Sequence, residues 1–420
     1  MSLLTASSKA AQSIAPSTRQ VWIILSGTAL LLALGMGIRQ SMGLFVTPVT
    51  RDLSISVADF TLALAIQNIV WGLSQAVVGG LADRFGLRVT MTVGAATYVL
   101  GLIIMATAQG ALALSIFGAL AGIALSCTAT SLSISACVRA VSPERRSMAL
   151  GVVAAVGSLG TLVFPIITQA LLTSYPWQVS AWLFVAMGIV MLPAAFMSGS
   201  ADRIPIPASA ATSFREVLGQ AMRSRPFLVM SGAYFVCGLN LVFITTHLPS
   251  YLALCGQDPM LSAAALATIG GTSAVGALAT GWLGGRYPKH ILLGLLYILR
   301  SIMIAIYFVL PPTPTSTLLF AAAMGLLWWP GLAPLIGGIV ADTFGTRYLA
   351  TLLGVSFVIH QLGSSLGAWG GGFIFDLSGA YDYAWQIGTV VGFMAGVVQI
   401  MAGGPSLPRE SKIAASPVTA

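Results

Sequence analysis

The chain has 420 residues, 57% of them hydrophobic and only 7% charged, with a mean hydropathy of +0.93. A soluble domain carries about 25% charged residues, and a disordered chain combines low hydrophobicity with high charge, so both classes are excluded. What remains is an all-α polytopic membrane protein whose constant partner is the lipid bilayer. Its net charge of +8 fits positively charged cytoplasmic loops and needs no nucleic acid to explain it.

The first 20 residues are polar and rich in Ser and Ala. No short apolar core with a small-residue cleavage site follows, so no cleaved signal peptide is expected. A membrane-spanning helix takes about 20 mostly apolar residues. Runs of that kind, bounded by charge, Gly or Pro, predict twelve spans: 21–49, 60–81, 89–107, 111–138, 147–172, 180–198, 226–253, 261–284, 291–311, 316–340, 349–375 and 385–403. With the N-terminus placed in the cytoplasm, 16 of the 19 Lys and Arg residues fall on the cytoplasmic side and only Arg51 on the other. That asymmetry predicts cytoplasmic N- and C-termini, in the inner membrane if the source is bacterial. Cys127, Cys137, Cys237 and Cys255 lack metal-ligand spacing. Three of them lie inside apolar runs, where buried thiols are expected.

The longest polar stretch, 199–225, separates an N-terminal half (1–198) from a C-terminal half (226–420). It contains a short amphipathic piece at 214–222, readable as an interfacial helix or as a plain linker. The halves echo each other. Gly79-Gly-Leu-Ala-Asp83-Arg84-Phe-Gly86-Leu-Arg88 follows span two, and Gly281-Trp-Leu-Gly-Gly285-Arg286-Tyr-Pro288-Lys289-His290 follows span eight, 202 residues later. Arg145 and Arg347 open spans five and eleven in like fashion. Related loops in the same places of two six-span units indicate duplication.

At these residues the chain resembles the major facilitator superfamily. Gly79-x-x-x-Asp83-Arg84-x-Gly86-x-Arg88 matches that superfamily's loop between its second and third helices. The resemblance implies two pseudo-symmetric six-helix bundles. Gly79, Asp83, Arg84, Gly86 and Arg88 would form a conformational latch between them, and helices one, four, seven and ten would line a cavity. Gly79 would let helices approach closely, and Asp83 would pair with a helix N-terminus or an Arg of the other half, a contact that must break in the inward state. Arg145-Arg146-x-Met148-Ala149-x-Gly151 and Phe375-Asp376-Leu-Ser-Gly379-Ala-Tyr381-Asp382 resemble the monocarboxylate and oxalate/formate branch. The chain departs from that branch at Gly27-Thr-Ala-Leu, where an acidic-Gly-Trp signature is expected. It departs again at Ser273 and Ala277, where an Asp and Arg pair is expected. It therefore reads as a divergent organic-anion carrier. Gly157-Ser-Leu-Gly160 with Pro165 resembles the superfamily's antiporter motif weakly, and a glycine contact between helices explains it equally.

The charges inside the spans carry their own argument. All 11 carboxylates fall in loops, tails or span ends, while Arg39 and Arg300 lie deep within spans one and nine. A central Arg costs roughly 2.5–3.5 kcal/mol on insertion scales, so each needs an aqueous cavity or polar partners. A guanidinium without an acidic partner suits a substrate carboxylate or phosphate. Arg39, flanked by Gly35 and Gly43, is the expected anchor, with a structural Arg bonded to backbone carbonyls as the alternative. Arg300, beside Tyr297 and Tyr307, is a second candidate or a structural cation. His360, near the centre of span eleven with Ser356, Gln361 and Ser364, could bind an anion, relay a proton or bond neutrally across helices. His247 reads as a gate or interfacial residue. Gln67, Asn68, Asn240, the Ser/Thr run 126–135, Trp328 and Trp329 complete the candidate cavity groups.

The reading is a secondary transporter that moves a small organic anion, a monocarboxylate, by alternating access, as a monomer without a cofactor. Efflux of an amphipathic drug or metabolite is the alternative. An enzyme is not expected, since no nucleophile with a paired base and no metal cluster stands out.

Overall fold

A computed structural model describes residues 17–142, 145–204, 214–327, 329–344 and 349–404. Spans begin where the sequence supplies caps. The Ser17 side chain accepts from the Gln20 amide to open a rod that runs from Thr18 to Leu53, with a 3-10 turn at Met42–Phe45. Span two, Val57–Phe85, starts in a reciprocal capping box of Ser56 and Asp59 and ends at Gly86, whose φ of 86° lets the chain turn straight into span three, Leu87–Ala106. Spans five and six are Arg146–Ser174 and Trp177–Ser198. After the short helix Phe214–Ala221 come span seven, Arg225–Leu254, span eight, Pro259–Gly284, and span nine, Lys289–Val309. Spans eleven and twelve are Leu349–Ser378 and Asp382–Ala402.

Spans four and ten differ from expectation: each is two helices. Span four is Ala111–Thr128 and Thr130–Ala140, broken at Ala129 with φ −86° and ψ −153°. Hydroxyls supply the reason. Ser126 Oγ and Thr128 Oγ1 donate back to the carbonyls of Ile123 and Ala124, and Ser133 Oγ reaches across the break to the Thr128 carbonyl at 3.1 Å, offering the backbone an alternative to the helical ladder. Span ten is Pro314–Leu326 and Trp329–Phe344, and proline at position 330 has no N–H to donate to a helical ladder carried across that point. Among the described residues, 11 helices are therefore long and apolar enough to cross a membrane, with span ten in two shorter pieces.

Small residues bring helices into contact within each half. A β-carbon at Gly160 of span five would collide with the Ala33 carbonyl of span one, and one at Gly363 of span eleven with the Phe235 carbonyl of span seven. The helix contact thus accounts for Gly160. Large apolar side chains such as Trp22, Leu112, Leu278, Val309 and Met401 are mostly exposed on the outside, as a lipid-facing surface requires.

One end of the bundle, the basic end, carries Arg84, Arg88, Arg139, Arg203, Arg286 and Lys289; the other, the acidic end, carries Asp52, Asp59, Asp258, Asp376 and Asp382. At the basic end each half has its own tie. Asp202, inside the expected linker, accepts from the amides of Leu87 at 2.8 Å and Arg88 at 2.9 Å and pairs with Arg139 at 3.4 Å. The turn Gly199–Arg203 is thereby stitched to the first half. Lys289 of span nine pairs with Asp342 of span ten at 2.7 Å in the second half. The halves themselves meet along span two against span eleven and span five against span eight.

Candidate functional site

Arg39 lies where the halves meet. Its Nη2 donates to Asn68 Oδ1 at 3.2 Å, and that oxygen is oriented because Asn68 Nδ2 donates to the Leu64 carbonyl at 2.8 Å. The guanidinium lies 5.3 Å from the centre of the Trp71 ring. No carboxylate pairs with it among the described residues, and its Nε is buried without a hydrogen-bond partner. Arg39, Gln67 and Asn68 line a small recess of about 20 Å³ together with Thr245 and Thr246 of span seven. The floor towards the acidic end is tight, since a β-carbon at Gly43 would strike the Thr245 carbonyl and Gln40 Nε2 donates to the Leu266 carbonyl of span eight at 3.3 Å. Of the two glycines flanking Arg39, Gly43 therefore serves close helix approach.

Span eleven packs against span two beyond Trp71, outside the lining of the recess. Trp71 meets Phe357 edge-on at 5.3 Å, and a β-carbon on Gly72 would lie 2.9 Å from the Gln361 side chain. Gln361 Oε1 is 3.2 Å from His360 Nδ1, which turns the amide nitrogen away; Gln361 Nε2 and Trp71 Nε1 are both buried without an acceptor. His360 packs against Tyr234 with ring centres 4.4 Å apart, and its Nδ1 is 3.4 Å from Ser364 Oγ. Trp71 was missed in the sequence, although it sits at i+3 and i+4 from Asn68 and Gln67, on the same helical face.

Other predicted members are elsewhere. Asn240 does not face Arg39; its Nδ2 donates to the Gly388 carbonyl of span twelve at 3.1 Å, inside the second half. Arg300 is 1% exposed and donates to Cys237 Sγ at 3.3 Å and to the Leu327 carbonyl at the break in span ten. Its place is that of a cation sealing an interrupted helix. His247 is likewise internal, 2.8 Å from the Ala368 carbonyl and 3.3 Å from the Tyr381 hydroxyl. Trp329 opens the second piece of span ten; its side chain, and all of Trp328, lie outside the described residues.

The latch residues lie at the basic end. Asp83 and Arg84 are exposed, and Arg88 stacks 4.3 Å over Phe196 within its own half. Gly79 does not mediate the expected close approach: a β-carbon there would meet nothing within 4 Å, and the same holds at Gly151, Gly281 and Gly354. At these four positions, on spans two, five, eight and eleven, the seams leave open space towards the basic end. The N-terminus of span three, just after this loop, is capped by Asp202.

Two six-helix bundles meeting around a central recess with a cation of their own have the architecture of a secondary transporter. The sequence model of the Major Facilitator Superfamily matches residues 25–368, and the chain belongs to that superfamily. It is 25% identical over 379 residues to the uncharacterized MFS-type transporter YcxA of Bacillus subtilis, covering 87% of this chain and 91% of that protein. It is 26% identical over 373 residues to monocarboxylate transporter 13 of Bos taurus, covering 87% and 85%. To the oxalate:formate antiporter of Oxalobacter formigenes it is 22% identical over 388 residues, 89% of each chain. A crystal structure of a bacterial homolog of the human lysosomal transporter Spinster, inward-facing and unoccupied, superposes with a TM-score of 0.71 at 16% identity, over 92% of this chain and 96% of that one.

Proposed function

We propose that this transporter carries a small organic anion, a monocarboxylate, at the recess beside Arg39. The observation that carries the reading is a set of buried donors without acceptors. Arg39 Nε, Trp71 Nε1 and Gln361 Nε2 are all unmet, at a costly permanent charge with no carboxylate partner. An unmet buried donor costs about 1–3 kcal/mol, and an incoming carboxylate supplies acceptors for a fork-shaped guanidinium. Arg39, Gln67 and Asn68 come from the first half, and Thr245 and Thr246 from the second, with Gln361 beyond Trp71, so an anion in the recess draws on both halves. That is what a ligand needs if it is to bias one half against the other. The names of the monocarboxylate and oxalate:formate relatives support the same class.

With the basic end in the cytoplasm of a bacterial inner membrane, the open space at Gly79, Gly151, Gly281 and Gly354 supports an inward-open reading of this conformation. The test uses purified protein in liposomes with labelled carboxylates, with and without a pH gradient. Arg39→Ala abolishes uptake without loss of folded protein, and Arg39→Lys keeps part of it as a point charge without the planar fork. Normal uptake by Arg39→Ala would remove the anchor.

A further inference from the structure

Span eleven carries a carboxylate in an awkward place. Asp376 is two residues before the end of its helix at Ser378, where the helix's own terminal carbonyls repel a negative charge. The compensation comes from the other half. Asp376 Oδ1 accepts from the Val57 amide at 3.1 Å and Oδ2 from the Ala58 amide at 2.8 Å, at the start of span two. Those amides belong to the first turn, where a helix has N–H groups without internal partners and a positive dipole end. The Ser56 hydroxyl accepts only from the Asp59 amide, at 3.0 Å, which leaves Val57 and Ala58 for Asp376.

The other end of the same seam shows the counterpart. Asp83 is also two residues before the end of its helix, span two, at Phe85. Spans two and eleven pack antiparallel across the seam, so each bears a carboxylate at its C-terminal end on the side of the other's N-terminus. In this structure the acidic-end carboxylate is engaged and the basic-end one is exposed.

We infer that Asp376 is a positioning residue of the transport cycle: its carboxylate, bound to the N-terminus of span two, holds the halves together at the acidic end while the basic end is open. Its release accompanies opening of the acidic end, and Asp83 takes the reciprocal role at the basic end. The bond is bidentate and charge-assisted, yet solvent-exposed, which suits a contact that must break in every cycle.

The test needs no substrate, so its outcome is independent of the anion reading. In a Cys255→Ser background, two reporters are labelled with a membrane-impermeant maleimide in sealed vesicles of either orientation. Ser250→Cys reports the acidic end, since Ser250 is buried and 3.3 Å from Thr47 of the other half. Gly151→Cys reports the basic end, where the structure leaves open space. Asp376→Asn raises labelling of the Ser250 reporter on the order of tenfold, the factor matching about 1.4 kcal/mol, and slows labelling of the Gly151 reporter. Asp376→Glu falls between. Val57→Pro removes one donor and leaves the charge. Proline is accepted at the first helical position, and Ser56 before it is already extended at φ −70° and ψ 161°. It moves both reporters in the same directions by a smaller factor, and Asp83→Asn moves them oppositely. Reporters that stay unchanged in Asp376→Asn and Val57→Pro, or that both speed up as in general loosening, would overturn the assignment.

Discussion

Arg300 donates to a thiol sulfur and to a backbone carbonyl, and both partners belong to its own half. The Leu327 carbonyl it meets is one that the break in span ten leaves outside the helical ladder, and in hydrocarbon such a group must be bonded to something. Arg39, by contrast, keeps donors unmet at the seam between the halves. Arg300→Ala should therefore lower the melting temperature of the detergent-solubilised protein, by a stability loss on the order of 3 kcal/mol. The protein that remains folded should keep its apparent affinity for anion, read by comparing KM with kcat in liposomes. His360 sits beside Gln361, so His360→Gln should change affinity while counterflow exchange survives. If uptake is proton-coupled through His360, the same variant flattens its pH dependence. Gradient-driven accumulation that persists unchanged would move coupling to a loop carboxylate or to the substrate.

Spans seven and eleven pack with backbone almost on backbone. Gly363 faces the Phe235 carbonyl and Gly367 the Leu239 carbonyl, one helical turn apart. A larger residue cannot be absorbed by a rotamer change, because the obstacle is main chain. Gly363→Val should cost about 1–3 kcal/mol or more through overpacking. The measurement is the fraction of monodisperse protein surviving a heating series. Stability equal to the parent would show that the second half repacks freely. At this scale the periodic apolar runs located every span, yet hydropathy hid the breaks in four and ten. Ser, Thr and Pro interrupt a helix without interrupting an apolar run, and whether they do so depends on neighbours that offer bonds to the freed carbonyls.

The charge asymmetry predicts which surface meets which compartment. Cys255 is the exposed cysteine, at the acidic end after span seven, whereas Cys127, Cys137 and Cys237 are buried. An impermeant maleimide added to intact cells should label the wild-type protein at Cys255 alone, and inside-out vesicles should remain unlabelled. The reverse pattern would invert the orientation and turn the open end outward.

Composition and loop charge by themselves determined that the chain is a duplicated set of apolar helices, since the cost of burying charge in hydrocarbon is local and can be read residue by residue. The Gly79 to Arg88 loop with its echo at Gly281 was enough to indicate the superfamily. Arg39, Gln67 and Asn68 could be picked out as polar groups spared within spans, and the structure brings those three together. The same reasoning made Asn240 a cavity candidate and left Arg300 open between second anchor and structural cation, because a polar residue in a span looks the same whether it turns to a central recess or to a neighbouring helix. Only the packing of span seven on span twelve, and of span nine on the break in span ten, decided that they turn inward to their own half. The contacts of Trp71 and Asp376 were also visible only in the tertiary structure, since each meets a residue roughly 300 positions away in sequence, and a partner at that distance is set by how two rigid halves meet.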